Sequence, residues 1–561
     1  MRKKIYPYNH KEIKKNQSRN HRRNLTKAIC AVTLSATVLT SIPCTGSLTA
    51  YADNTQVTAD ALGASITIPT ENVITYDLSD PSLISHKKGE DYHGNAYDFH
   101  IIDINITQDG TYVIKGSNEI NGAYVDTHIS VAEGVTADLI FDGATIKNDD
   151  KYCPYVRGCG NFTWDIVETL FPVLDIAGTA NIYVKSDSSL EAEIEDVQDN
   201  VLAEVTGTMV MKGSEDDAVL KLSAGENGAA VGTGRASKRR GTFIMEGGNL
   251  DAVGTVGGVD YYECLSEVRV TGGNLTCSSG NVSNLYADNI NISGGSISGS
   301  GNRENGYEEG IYAVHSMYIT GGKMSFVRTG EVAGIVLAGS GEIYLAGGTY
   351  EIQGFYSSNS RCRDFAGRMA GLYTLEGLPE NAVVTAINGQ EVKDVVTTAE
   401  GTLCTYLAAM QNALIEIGDE TYCYQYDSSK HTLTKSTDLA VHQVKVLSDG
   451  ENGEVLRTMR VADGTTVGGM ISDAQYTYSY ETEDGTEVSS TTSVTEDMTL
   501  VLKKIERIYE VKITEGNDQS ILPMKHTDRL PEGYLYADIS NYKIYSAEDP
   551  INSDLSLKRI P

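Results

Sequence analysis

The sequence predicts an all-β protein, namely a right-handed parallel β-helix followed by small β modules, one of them β-grasp-like. Three observations support this prediction. A glycine pair recurs at a nearly constant spacing, apolar residues alternate with polar ones before each pair, and glycine and tyrosine are frequent (56 Gly and 33 Tyr in 561 residues). Period-two alternation between glycine-rich turns is typical of many short strands.

The glycine pairs define the length of a repeat. Five clear copies and one weaker copy occupy residues 209–213, 243–248, 268–273, 290–295, 317–322 and 343–348. From copy to copy the second glycine of the pair advances by 25, 22, 27 and 26 residues. Repeats of this length form solenoids, because a single coil cannot bury its apolar side alone and needs neighbouring coils.

The alternation inside each copy predicts which side chains point inward. Positions four and two before the first glycine are apolar in every copy, which indicates a strand with one buried face. Glycine suits the following corner because it tolerates positive φ and close backbone approach. A β-propeller has a longer period, and a leucine-rich repeat needs a Leu/Asn consensus that is missing. We therefore predict one continuous core that contains Phe243, Val268, Ile290, Met317 and Ile343.

Residues 1–52 are predicted to be a secretory signal peptide. Ten Lys/Arg and one acid precede an uncharged apolar stretch, 28–43, and a small-x-small pattern places the cleavage between Ala52 and Asp53. The apolar stretch is shorter than the roughly 20 residues of a transmembrane helix. We expect a secreted, extracellular protein, free or associated with the cell surface, with no membrane span after cleavage.

The charge of the chain limits its partners. Without residues 1–52 the chain has 35 basic and 75 acidic residues, a net charge of −40. Nucleic acid is excluded as a partner, because binding it needs a basic surface. A polyanionic glycan would need a bridging cation such as Ca²⁺. The acidity alone is also explained by the solubility that a secreted protein needs.

Part of the chain resembles a known class of surface proteins. The segment 112–116 (Tyr-Val-Ile-Lys-Gly), the segment 135–146 and the repeated Ile-x-Ile-x-Gly-Gly motif resemble carbohydrate-binding parallel β-helix proteins exported by clostridia-like bacteria. The similarity covers roughly residues 95–365. It implies a surface-exposed glycan binder, with Ca²⁺ as a candidate cofactor and without demonstrated catalysis.

The organisation changes on both sides of the predicted β-helix. Residues 53–94 are predicted to be a linker or N-terminal cap, and residues 366–437 a small all-β module with a hairpin turn at Asn388-Gly389. Residues 441–505, with a closing segment that ends Leu500-Val501-Leu502, resemble the internalin-type B repeat (Listeria–Bacteroides repeat), a β-grasp module of surface proteins. The aromatic-Gly-Trp of that family is absent. Residues 506–561 are not assigned.

Candidate sugar-binding residues are aromatic, because the C–H faces of sugars pack on aromatic rings. The outward position between the two inward ones is occupied by Val210, Ile244, Arg269, Asn291, Tyr318 and Tyr344. Tyr318 and Tyr344 are therefore predicted to stack on adjacent coils of one exposed face. Further candidates are three tyrosines in turns and the single tryptophan in a long excursion, 151–170: Tyr261, Tyr262, Tyr307 and Trp164. Packing of tyrosines between coils on a solvated sheet explains the same pattern.

Candidate metal ligands and catalytic acids lie in turns. Glu215, Asp216 and Asp217 are the candidate Ca²⁺ ligands. A polysaccharide lyase or hydrolase needs acids clustered on one face, and the turn acids do not recur in register. We therefore predict a non-enzymatic protein that binds an extracellular polysaccharide or cell-wall glycan. The alternatives are a structural spacer that presents surface modules and a β-helix polysaccharide lyase or hydrolase.

The seven cysteines that follow residue 52 do not form a disulfide framework, because their number is odd and they are widely spread. Two pairs are close enough in sequence to form a bridge, Cys153 with Cys159 and Cys404 with Cys423. Free, half-buried thiols account for them equally well.

Overall fold

The computed structural model describes 22 stretches of the chain, and all of them belong to one compact unit that spans residues 62–561. The described residues are 66–90, 96–148, 172–192, 201–225, 228–233, 239–258, 264–279, 283–302, 310–329, 335–337, 342–345, 347–352, 362–364, 368–449, 453–468, 476–515, 518–525, 528–532, 534–538, 544–546, 551 and 554–560. Within these stretches, one 3₁₀ turn, Pro81–Leu83, is the only helix.

Short strands make up most of the described residues before residue 365. They are β1 (Val73–Asp77), β2 (Ile84–Glu90), β3 (Ala96–Ile106), β4 (Gly110–Ser117), β5 (Glu119–Ile120), β6 (Ala123–Tyr124), β7 (Asp126–Val131), β8 (Thr136–Lys147), β9 (Leu174–Ile176), β10 (Thr179–Ser186), β11 (Ser188–Glu191), β12 (Val201–Val205), β13 (Thr208–Ser214), β14 (Val219–Ser223), β15 (Ala229–Gly232), β16 (Thr242–Met245), β17 (Asn249–Val253), β18 (Thr255–Val256), β19 (Leu265–Val270), β20 (Asn274–Ser279), β21 (Leu285–Ile292), β22 (Ser296–Asn302), β23 (Ile311–Ile319), β24 (Lys323–Thr329), β25 (Ile335–Leu337), β26 (Glu342–Leu345), β27 (Thr349–Ile352) and β28 (Cys362–Arg363).

These strands form three parallel sheets, and successive coils of the chain add one strand after another to each sheet. Sheet 1 contains β1, β4, β8, β10, β13, β16, β19, β21, β23, β26 and β28. Sheet 2 contains the end of β8, then β11, β14, β17, β20, β22, β24 and β27. Sheet 3 contains β3, β7, β9, β12, β15, β18, the starts of β21 and β23, and β25. This is a parallel β-helix, as the sequence predicts.

The predicted inward residues lie in one core. Phe243, Val268, Ile290, Met317 and Ile343 pair in register from coil to coil, and each is at most 2% exposed. All five belong to a single hydrophobic cluster that runs through the whole β-helix. The prediction of one continuous apolar stack is therefore confirmed.

The glycine pairs are required at the corner between sheets 1 and 2 for two reasons. The second glycine of each pair has positive φ, for example 79° at both Gly273 and Gly295. The first glycine lies against the backbone of the preceding coil, and a Cβ on Gly272 would come within 2.4 Å of the carbonyl oxygen of Glu246. Any larger residue would strain the backbone or push the coils apart.

The N-terminal end of the β-helix is covered by strands outside the regular repeat. Strand β2 pairs antiparallel with β3 and so covers part of the first edge of sheet 3. Ile66, which precedes β1, occupies the space that a Cβ on Gly213 would need. Strand β2 thus reduces the open edge that could pair with another chain, whereas Ile66 lies farther along the β-helix, against β13, the fifth strand of sheet 1.

The C-terminal end is covered by a small module, here called the cap module. Its strands are β29 (Ala370–Leu375), β30 (Ala386–Ile387), β31 (Gln390–Glu391), β32 (Leu403–Ala408), β33 (Ala413–Ile417), β34 (Glu420–Asp427) and β35 (Thr432–Ser436). β29 and β32 form an antiparallel pair, and the other five strands form a sheet in the order β31-β30-β33-β34-β35.

The β29–β32 pair separates two cores because its side chains alternate between them. Leu372 and Tyr406 pack against the core of the β-helix, whereas Leu375 and Leu403 belong to the core of the cap module. The ring of Tyr406 meets the ring of Tyr350 edge-on, with 4.9 Å between centroids. The core of the β-helix therefore ends at the β29–β32 pair, whose other face belongs to the core of the cap module.

The predicted hairpin turn of the cap module is confirmed. Asn388 and Gly389 have φ of 49° and 74°, and the flanking residues Ile387 and Gln390 pair antiparallel. Two central residues with positive φ are the signature of a type I′ turn, whose twist matches that of the flanking strands.

A segment of the cap module, 392–396, lies along the glycine corners and is here called the strap. Lys393 Nζ donates to the carbonyl oxygen of Thr271 at 2.8 Å, and the amide of Gly322 donates to the carbonyl oxygen of Lys393 at 2.7 Å. The amide of Gly295 donates to Oδ2 of Asp394 at 2.7 Å. The side-chain-free corner therefore also serves as a groove that fixes the cap module on the β-helix.

Two further modules follow, and they share one topology. Mixed module 1 contains β36 (Val441–Ser448), β37 (Val455–Ala462), β38 (Tyr476–Thr482), β39 (Glu487–Val488) and β40 (Met498–Glu506). Mixed module 2 contains β41 (Ile508–Glu515), β42 (Asp518–Lys525), β43 (Leu535–Asp538), β44 (Ile544–Tyr545) and β45 (Leu555–Ile560).

Each mixed module is one five-stranded sheet. The orders are β37-β36-β40-β38-β39 and β42-β41-β45-β43-β44, so the first and last strands of each module are neighbours, and both pairs are parallel. A central parallel pair of terminal strands is β-grasp-like. The stretch 506–561, which the sequence leaves unassigned, thus repeats the sheet of the preceding module.

The stacked core predicts a contrast between two adjacent residues of β22. Ile297→Ala should lower the free energy of unfolding by about 2–5 kcal/mol, because Ile297 is fully buried between Leu275 and Met324. Ser298→Ala should change it by less than about 0.5 kcal/mol, because Ser298 lies on the outer face. Urea unfolding followed by circular dichroism measures both, and equal effects would contradict the inward assignment.

Candidate functional site

The outer face of sheet 1 is ordered as the sequence predicts. The six predicted outward residues pair with one another from coil to coil, in the order Val210, Ile244, Arg269, Asn291, Tyr318 and Tyr344. The register of the outer face can thus be taken from the glycine pairs alone, because the side-chain period of a strand is two.

Tyr318 and Tyr344 stack as predicted, but only one of them is accessible. Their ring centroids are 4.9 Å apart and their planes differ by 15°. Tyr318 is half-buried, whereas Tyr344 is only 6% exposed. The prediction that both rings lie on an exposed face is therefore wrong for Tyr344. It is enclosed between the coil of Tyr318 and the last coil, where Arg363 pairs with it.

A second tyrosine pair lies on the outer face of sheet 3. Tyr286 and Tyr312 pair in register, their centroids are 4.6 Å apart, their planes differ by 5°, and both are half-buried. In the preceding coil, Val256 pairs with Leu285. The next residue, Gly257, therefore lies beside the backbone of Tyr286.

A charged cluster lies between the two tyrosine pairs, centred on Asp288. Its Oδ2 accepts from Arg240 Nη1 at 2.5 Å, and its Oδ1 is 3.5 Å from both Cys264 Sγ and His315 Nδ1. Asp288 lies where the register between β21 and β23 shifts, between Ala287 and Asn289. Such bulges often re-aim a side chain at a functional site.

Polar groups next to Tyr318 are also paired with one another. Both carboxylate oxygens of Glu267 accept from Arg269 Nη2, at 2.8 and 3.0 Å, and Oε1 also accepts from Asn291 Nδ2 at 2.7 Å. Asn291 pairs in register with Tyr318. The surface formed by Tyr286, Asp288, Asn291, Tyr312 and Tyr318 is here called the tyrosine surface.

The tyrosine surface is elongated along β23. Tyr312 and Tyr318 lie six residues apart in the same strand, which corresponds to at most about 20 Å at about 3.3 Å per residue. Aromatic rings at the two ends with hydrogen-bonding side chains between them fit an extended ligand with both apolar and hydroxyl faces.

A row of ionisable residues occupies the outer face of sheet 3 nearer the N-terminus. His128 Nδ1 is 3.2 Å from Oδ1 of Asp103, and His128 Nε2 is 4.0 Å from Oδ2 of Asp175. Glu204 pairs in register with Asp175 on the next coil and is buried. The sequence predicts candidate acids only in turns and does not predict this row, because its acids lie inside strands, one per coil.

The candidate Ca²⁺ ligands occupy an exposed turn. Glu215, Asp216 and Asp217 are all exposed, and Asp216 has φ of 46°. In the described stretches, no three His, Cys, Asp or Glu side chains come together as a group that could hold a metal ion. The described structure therefore adds no support to a metal site at these residues.

Several sequence candidates lie outside the described residues. They are the turn tyrosines and the tryptophan, the cleavage site and one cysteine pair: Tyr261, Tyr262, Tyr307, Trp164, Ala52, Asp53, Cys153 and Cys159. Their roles remain predictions.

The second suggested disulfide does not form. Cys404 and Cys423 are both free thiols. Cys404 packs against the core of the β-helix, whereas Cys423 packs with Leu414 and Ala462 at a separate apolar contact. The two residues point to different cores although they lie in one small module.

Comparisons with known proteins do not identify a function, so the proposed function rests on the geometry of the site. The chain matches no protein-family model, no curated protein and no solved structure. Among the residues that the structure describes, no helix has the length and apolar character needed to cross a membrane.

The thiol of Cys264 should be unreactive in the folded protein. Burial and the neighbouring carboxylate of Asp288 raise its pKa to about 12, and only the thiolate is nucleophilic. Alkylation by iodoacetamide at pH 8, followed peptide by peptide by mass spectrometry, should be at least about a hundredfold slower for Cys264 in the native protein than in 8 M urea. Equal rates would show that this part of the surface is open.

Proposed function

We propose that this chain is an exported protein that binds carbohydrate through the tyrosine surface of its β-helix. The observation that supports this best is the pair of stacked tyrosine sets on neighbouring sheets, with Asp288 and its partners between them. Tyrosine offers an apolar ring and a hydroxyl, which matches the two kinds of surface of a sugar.

The charges of the surface favour a neutral polysaccharide. The guanidinium of Arg240 is paired with Asp288, and that of Arg269 is paired with Glu267. Paired charges supply hydrogen bonds without a net positive field, and without residues 1–52, the predicted signal peptide, the chain carries a net charge of −40. A polyanionic glycan would be repelled, unless Ca²⁺ bridges it as the resemblance of residues 95–365 to glycan-binding β-helix proteins implies.

The proposal predicts a graded loss of binding. Tyr312→Ala and Tyr318→Ala should each weaken binding by about 2- to 12-fold, since an aromatic contact contributes about 0.5–1.5 kcal/mol. Tyr312→Phe should retain most of the affinity, because the ring remains. Arrays of neutral and anionic glycans, probed in Ca²⁺ and in EDTA, identify the ligand. Titration calorimetry under the same two conditions then measures its affinity.

A matched control is Tyr124→Ala, which removes an exposed tyrosine from the small β5–β6 hairpin. It should leave the affinity unchanged. Absence of any bound glycan in both Ca²⁺ and EDTA would eliminate carbohydrate binding. Affinity that survives in both alanine variants would show that the ligand lies elsewhere on the chain.

The row around His128 supports a second candidate function, cleavage of a polysaccharide. A histidine between two carboxylates is an arrangement that can move protons in a hydrolase or lyase. If this function is correct, the glycans that bind should be shortened on incubation, and His128→Gln should abolish the shortening while leaving binding intact. Unchanged chain lengths with the unmodified protein would eliminate this candidate.

A further inference from the structure

We propose that the two mixed modules bear tension, so that the chain resists extension when it is pulled along its length. This inference does not depend on the ligand of the β-helix. It rests on where the chain enters and leaves each module and on the direction of the two strands that meet there.

In mixed module 1 the terminal strands form a parallel pair in the middle of the sheet. Five residue pairs join β36 to β40, from Val444 with Met498 to Ser448 with Leu502. Because the strands are parallel, the start of β36 and the end of β40 lie at opposite ends of the pair. A pull on these two points acts along the strands, and the hydrogen bonds between them share the load and must break together.

Mixed module 2 repeats this geometry. Four residue pairs join β41 to β45, from Val511 with Leu555 to Thr514 with Lys558. The chain again enters at the start of the first strand and leaves at the end of the last strand. When the chain is pulled, the two consecutive modules are loaded one after the other along it, and each resists unfolding in the same geometry.

The cores add to the resistance. Val444, Val446, Leu500 and Leu502 project from the parallel pair of mixed module 1 into its core, and each is at most 8% exposed. Sliding β36 past β40 would expose these side chains at the same moment as it breaks the hydrogen bonds. In mixed module 2 the corresponding residues are Val511, Ile513, Leu555 and Leu557.

The connection between the modules passes the load directly. β40 ends at Glu506 and β41 begins at Ile508, so one residue, Arg507, separates the two loaded pairs. Lys525 of mixed module 2 also forms an ion pair with Glu506. This described junction contains no slack segment that would extend before the modules do.

The cap module provides an internal contrast. Its last strand, β35, is antiparallel to β34, and the pair Cys423 with Ser436 lies at the open end of that hairpin. A pull that moves Cys423 and Ser436 apart would therefore separate the residue pairs one after another, which needs less force. Resistance to tension is a property of the mixed topology and not of the small β modules in general.

Force spectroscopy of the full chain tests the proposal. One handle is attached at the exposed Asp438 and the other after Pro561, so that both mixed modules are loaded in series. The expected record has two extension steps of about 200 Å each, as each module releases some 50–65 residues at about 3.4 Å per residue. Many small steps would overturn the proposal.

The control loads mixed module 1 in a different direction. Handles at Ala440 and Asp463 sit at the open end of the β36–β37 hairpin, next to the pair Val441 with Ala462. This geometry should open the module at roughly half the force or less at the same loading rate. Equal forces in the two geometries would overturn the proposal, because the direction of the parallel pair would then not matter.

A cross-link gives a second, independent readout. Lys445 and Thr499 are register partners in the parallel pair, so Lys445→Cys combined with Thr499→Cys places a disulfide across it. Under oxidising conditions the step of mixed module 1 should be largely lost, and a reductant should restore it. A step that keeps its full length after oxidation would contradict the parallel register, and the reduced variant controls for folding.

Discussion

The structure depends on one constraint: the inward apolar side of each coil is completed only by the coils on either side of it. Ile290, for example, pairs with Val268 below and Met317 above, and all three are fully buried. A coil on its own would leave this surface in water, at a cost of about 25 cal/mol for each Å². Each coil is therefore stabilised by its neighbours, and the two ends of the stack need covering.

The same constraint explains the features that do not belong to the repeat. At one end β2 pairs antiparallel with β3, and at the other Tyr406 of the cap module closes the core against Tyr350. The glycine corners bring successive coils close together and leave a groove that the strap fills through Lys393 and Asp394. Because the inward side chains are buried in the core, only side chains on the outer faces of the sheets can contact a ligand.

Much of the β-helix could be predicted from the sequence because its period is short and its corners are glycine. The spacing of the glycine pairs defines the register of both faces of sheet 1 over six coils. The Asn388-Gly389 turn was equally clear, since positive φ at two successive positions limits the residue types. In each case a local rule determines the geometry.

The missed features depend on neighbours that are far apart in sequence. Tyr286 and Tyr312 lie in the part of β21 and β23 that belongs to sheet 3, outside the motif that set the register. Tyr344, which is buried, pairs with Tyr318 on one side and with Arg363 on the other, and the coil of Arg363 lacks the glycine pair. The mixed modules share strand order and direction, and similar apolar residues recur in their parallel pairs, but such short runs do not by themselves predict a sheet topology.

The proposed functions follow from this division of the chain. We propose that the outer face of the β-helix offers rings and paired charges to a glycan, and that the parallel pairs of the mixed modules resist a pull. Binding a fixed polymer and bearing tension are compatible tasks, since a ligand held at one place loads the chain that carries it. Each task rests on different residues and can fail without the other.

Amide hydrogen exchange of the intact protein tests the continuous stack most directly. If the coils share one core, the amides of β10 to β24 should show similar, strong protection, and protection should decline only towards the two ends. Central coils that exchange independently of one another, at rates close to those of the turns, would contradict a single stacked core.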